Sequence, residues 1–93
     1  MIVVMKLVTG EELIVTKNTL NVRSYSKPRV IQIMQTQQGM QAALVPWFIS
    51  NPDAEFNMDD DKIMAAIEAP KEVADMYLAQ TSGIDLSASR IQI

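Results

Sequence analysis

Asp59, Asp60 and Asp61 stand in succession and form the densest group of potential cation ligands in this 93-residue sequence. Carboxylates suit hard cations, but an EF-hand loop spaces them on alternate positions around a glycine, and this run does neither. A solvated acidic turn is the expected role. Two chemistry-bearing types are missing altogether. With no His and no Cys, the commonest general base, the usual zinc ligands and thiol nucleophiles are excluded. The three glycines lie too far apart for a P-loop or a G-x-G-x-x-G phosphate cradle. These residue types argue against an enzyme and imply no cofactor. Binding or assembly is what remains.

The elements that would position a binding site must be built from an unusual core. Apolar residues make up 48% of the chain but aromatics only 5%, so Val, Ile, Leu, Met and Ala must fill the interior. A core of this size is marginal, and neither a disulfide nor a metal is available to supplement it. Burial against further copies of the chain is the remaining route, so an oligomer is expected. The net charge of −3 argues against a surface that grips phosphate everywhere, while leaving room for a local basic patch. No apolar run approaches the roughly 18 residues of a membrane span, and no signal-peptide pattern opens the chain. A soluble, intracellular, single-domain protein is expected.

Along the chain, residues 2–8 and 13–16 are β-branched runs split by Thr9, Gly10, Glu11 and Glu12. This pattern predicts a hairpin, with Gly10 supplying a positive φ. Residues 17–21 are turn-prone, 22–26 can be extended, and Pro28 forces Lys27 toward β or polyproline geometry and removes a ladder donor. Residues 29–34 read as a strand, 35–41 as a polar turn pivoting on Gly39, and 42–49 as an apolar strand. Pro46 in that strand fits an edge or a bulge. Residues 57–69 are ambiguous: Asp59 or Asp60 can cap a helix and Ile63, Met64 and Ile67 have helical spacing, yet 63–67 also reads as a short buried strand. Pro70 opens a helix over about 71–82, with Val73, Met76, Tyr77 and Gln80 on one face and Gly83 ending it. The tail, 83–93, is either frayed or a strand added to a neighbour.

In order, Lys6, Leu7, Gly10 and Glu12 match the K-L-x-x-G-x-E opening of the Sm-like family. Tyr25-Ser26-Lys27-Pro28-Arg29-Val30-Ile31 and Leu44-Val45-Pro46-Trp47-Phe48 resemble the divergent Sm-like proteins encoded by bacteriophages. The resemblance covers about residues 1–70. It implies a mainly β fold, a small, strongly bent five-stranded barrel over about 1–69 with the C-terminal helix added. It also implies that 63–67 is the fifth strand, and that copies close into a ring by pairing the fourth strand of one with the fifth of the next. Family rings bind single-stranded RNA, often uridine-rich, at the inner rim, in the cytoplasm (here of a host cell if phage-encoded).

Carried over by position, the first RNA-binding loop falls on Val22, Arg23, Ser24, Tyr25 and Ser26, and the second near Asp60, Asp61 and Lys62. Neither family motif is intact: Val22, Tyr25 and Ser26 replace the acidic residue, the Met and the Asn, and an acidic run ending in Lys62 replaces Arg-Gly. Tyr25 can stack a base, Ser24 and Ser26 can bond its edge, and Arg23, Lys27 and Lys62 can meet phosphate. The rival expectation is a ring that serves assembly and has lost RNA. Trp47, Phe48 and the terminal helix would then either dock a protein or serve as ordinary packing.

Overall fold

The opening hairpin forms as the sequence predicts. The computed structural model describes residues 1–82. In it β1 (Ile2–Leu7) pairs antiparallel with β2 (Glu12–Lys17), Ile2 opposite Thr16 and Lys6 opposite Glu12. Gly10 has φ +96°, and its amide donates to Leu7 O at 2.9 Å. A Cβ at Gly10 would meet nothing within 4 Å. The glycine is therefore required for backbone conformation and not for space.

The third strand is longer than the sequence indicates. β3 (Ser24–Thr36) runs straight through Pro28. It does so by a bulge: Thr16 pairs with Ser26, but Ile14 pairs with Arg29, so β3 carries one extra residue there. Lys27 absorbs the irregularity at φ +56°, a left-handed conformation and not the β or polyproline geometry expected before a proline, and Pro28 sits where no ladder donor is needed. A tight turn with Gly39 at φ +114° leads into β4 (Gly39–Pro46), which ends at its proline and not at residue 49.

A short strand absent from the sequence reading, β5 (Glu55–Asn57), pairs with the start of β3. After a single 3₁₀ turn (Asp60–Lys62), β6 (Ile63–Glu68) pairs with β1. Residues 63–68 thus form a strand against their helical propensity. Seven residues between a 3₁₀ turn and Pro70 are too few to form a stable helix. Pairing with β1 satisfies their backbone directly. The expectation of burial fails, however, because only Ile63 is partly buried and the rest of β6 is exposed.

The sheet therefore has six strands in the order β4-β3-β2-β1-β6, with β5 added on β3. This corrects the five-stranded barrel. The sheet is open, because its two ends, β4 and β6, do not pair with one another.

Alternation along β1 and β2 sends side chains to two cores. Val3, Met5, Leu7, Leu13 and Val15 gather with Tyr25, and Trp47, Phe56, Met58 and Ile63 pack around them. Val4 and Ile14 point the other way, to Leu44 and Tyr77. That second face is closed by α1 (Lys71–Thr81). The Tyr77 hydroxyl lies 2.8 Å from Thr16 Oγ1 and donates toward the carbonyls of Lys27 (2.8 Å) and Ser26 (3.3 Å). Gln80 donates to Leu44 O and accepts from Arg29. Arg29 is itself buried and bonded to Asp53 at 2.8 Å and to the carbonyls of Pro28 and Pro52. Of the predicted helix face, Val73 and Tyr77 pack against the sheet, Gln80 is exposed and reaches the sheet only through its side-chain hydrogen bonds, Met76 is exposed, and Thr81 is buried in addition. Gly83 and the tail lie outside the described residues. Among the described residues no helix is long and apolar enough to cross a membrane.

Candidate nucleic-acid interface

The loop joining β2 to β3 is shaped by its own asparagines. Asn18 Oδ1 accepts the Leu20 amide at 2.8 Å and Asn21 Oδ1 accepts the Arg23 amide at 3.2 Å. Side-chain bonds of this kind replace a backbone turn and are why Asn favours such loops. The Asn18 amide donates to Ser24 O and the Ser24 amide to Asn21 O, which folds the loop over the start of β3.

The segment after β5 meets this loop, since Met58 N donates to Arg23 O at 3.1 Å. The two loops singled out by sequence are therefore neighbours. Arg23 lies 3.9 Å from Asp59, with both side chains largely exposed. Such a pair contributes little and leaves the guanidinium available. Lys62 is exposed at the far end of the 3₁₀ turn, where its carbonyl accepts from Val8 at the hairpin turn. Arg23 and Lys62 thus flank the acidic turn from opposite ends. Among the described residues no three acidic side chains converge to hold a metal.

The remaining predicted residues take different places. Tyr25 is only 5% exposed, within the first core, its ring 5.8 Å from that of Phe56. Burial, with Asp60 adding to it, raises the Tyr25 hydroxyl above its ordinary value, so the phenol stays protonated. In this conformation its ring supports the loop from beneath. Ser26 and Lys27 are half-buried at the bulge, where Lys27 N donates to Ala54 O. Trp47, Phe48 and Phe56 form a mutually packed trio with centroids 4.9–5.6 Å apart. Trp47 and Phe56 border the core, so the aromatic cluster is first of all packing.

No family model matches this chain, and no curated protein matches it.

Beside the paired loops lies an open polar cavity of about 330 Å³ at the surface, lined by Asn18, Asn21, Ser24, Glu55, Phe56 and Asn57, of which Asn21, Glu55 and Asn57 are exposed. The strand register explains it. Ser24 opposes Asn57 and Ser26 opposes Glu55, so these four share one face of the β3–β5 ribbon, while Tyr25 and Phe56 share the other. Of the lining residues, sequence reasoning singled out only Ser24. The available signals were the two turn-forming asparagines three residues apart and the polar–aromatic–polar alternation of Glu55, Phe56 and Asn57. Neither has meaning until β5 is known to pair with β3.

Proposed function

We propose that this protein is a ring-forming subunit of the Sm-like kind that binds single-stranded RNA along the rim formed by the 18–23 and 58–62 loops. The observation that carries the reading is the state of the two sheet edges. β4 and β6 each leave a row of backbone donors and acceptors unpaired. β6 presents Met64 at 67% and Ile67 at 59% exposure, and the β3–β4 hairpin presents Ile33, Met34 and Met40. Exposed apolar edges are normally blunted by charge or proline. Here Pro46 sits only at the end of β4. Pairing of unlike edges from one copy to the next is a heterologous contact, and such contacts generate rings when the rotation closes. That closure would supply the burial a small aliphatic core lacks.

RNA enters through the loops. Arg23 and Lys62 meet phosphate, while the polar cavity between β3 and β5 offers hydrogen bonds to a base. The protein acts by binding, without a catalytic step. Fluorescence anisotropy with labelled oligo-U and oligo-A at low and high salt tests this. Binding that weakens with salt, and weakens further in Arg23→Ala and Lys62→Ala, is expected. No binding at low salt would overturn it. A second reading, a ring that serves assembly alone, is favoured by the burial of Tyr25 and by the three aspartates beside Lys62.

A further inference from the structure

From the polar cavity we infer a base preference: the site is built to take guanine, read by the Glu55 carboxylate and the amino groups of Asn18 and Asn21. The inference rests on the RNA reading above. At about 330 Å³ the cavity lies at the small end of the roughly 300–1,000 Å³ span of ligand clefts, a size suited to a single base.

Three observations point to an occupant and define its chemistry. Ser24 is only 5% exposed, it lines the cavity, and its hydroxyl makes no hydrogen bond among the described residues. A buried hydroxyl left in this state costs stability unless something fills its place. Secondly, the Asn18 and Asn21 carbonyl oxygens are both committed to backbone amides, at 2.8 and 3.2 Å. Their amino groups are thereby the free ends and can only donate. Thirdly, Glu55 and Asn57 project from the same face of β5, and neither side chain has a hydrogen-bond partner among the described residues.

The cavity therefore combines one carboxylate with donors and has no cationic lining residue. A phosphate would be repelled by Glu55 and belongs outside, toward Arg23. Among the bases, uracil presents one N–H between two carbonyls, so the second carboxylate oxygen would face a carbonyl oxygen. Cytosine and adenine each present one donor group beside a bare ring acceptor. Guanine alone places two adjacent donors, N1–H and the N2 amino group, where a carboxylate can accept both, with O6 beside them for an amide donor. Ser24 can bond an edge atom of the guanine seated there.

The test uses short fluorescent oligoadenylates carrying one central guanosine, inosine or uridine, titrated against the wild-type chain and the Glu55→Gln and Ser24→Ala variants. Guanosine is expected to bind about tenfold tighter than uridine, with inosine, which lacks the N2 amino group, falling between them. Glu55→Gln should abolish the preference while leaving the salt-dependent part of binding intact, and Ser24→Ala should weaken the guanosine strand alone. Equal affinities for guanosine and uridine, or an unchanged preference in Glu55→Gln, would overturn the inference and leave the RNA reading standing. If no strand binds, the RNA reading fails. Guanosine monophosphate is then followed by amide NMR, where absent shifts at Ser24 and Asn57 would reject the cavity as a guanine site as well.

Discussion

The centre and the two ends of this sheet are made of the same residue types in opposite circumstances. Leu13, Ile14 and Val15 on β2 are fully buried, because one face packs into the first core and the other lies under α1. Met64, Ala65, Ala66 and Ile67 on β6 are nearly as apolar and are exposed on both faces. The difference is one of neighbours, not of sequence. A strand with partners on both sides and layers above and below turns apolar content into stability. An edge strand with the same content leaves it open to pairing with another edge.

If this contrast is right, substitutions at the centre cost folding and substitutions at the edge cost assembly. Leu13→Ala should lose about 2–5 kcal/mol in denaturant unfolding, whereas Met64→Ala should change the unfolding of the dissociated protomer by less than about 0.5 kcal/mol. Equal losses would erase the distinction. Tyr77→Phe probes the layer over the centre. It leaves the Lys27 carbonyl without its donor and should cost about 1–3 kcal/mol.

The same residue gives a pH signature. Burial raises the Tyr77 hydroxyl above its ordinary value of 10.0, so the folded chain holds a proton that the unfolded chain releases. The stability this proton represents is intact below pH 10 and falls as pH rises beyond it. Tyr77→Phe should flatten part of that alkaline loss, with Tyr25, raised in the same direction, accounting for a remainder. A wild-type stability flat to well above pH 10 would contradict the burial of both phenols.

Backbone geometry sets the smallest effects. Gly10→Ala should cost about 1 kcal/mol, because it places a Cβ at φ +96° although the space is open. Lys27→Gly should stabilise by up to about 1 kcal/mol by relieving φ +56° at the bulge. Thermal melts of the two variants should therefore move in opposite directions.

Local signals decided what the sequence could disclose. The Gly10 hairpin, the β4 edge proline and the helix after Pro70 each depend on a few adjacent residues, and all were legible. Residues 63–68 were not legible from propensity, since the partner that makes them a strand, β1, lies more than fifty residues away in sequence. The joining of 22–26 and 29–34 into one strand across Pro28 was hidden because the bulge that accommodates the proline is a property of the β2–β3 register. The polar cavity was hidden for the same reason. Glu55 and Asn57 mean little until β5 pairs with Ser24 and Ser26. Tyr25 had the right chemistry for stacking, but its alternation with Ser24 and Ser26 sends it to the core face with Phe56.

The central claim is that the β4 and β6 edges join copies of the chain, and light scattering coupled to gel filtration tests it most directly. The wild-type chain should elute as one discrete species several times the 10.4 kDa protomer mass, with a mass that stays constant on dilution. Ile67→Lys, which charges the β6 edge without touching either core, should return it to the protomer mass with its circular dichroism unchanged. A wild-type chain that runs as a stable monomer, or an Ile67→Lys variant that assembles as before, would contradict the account.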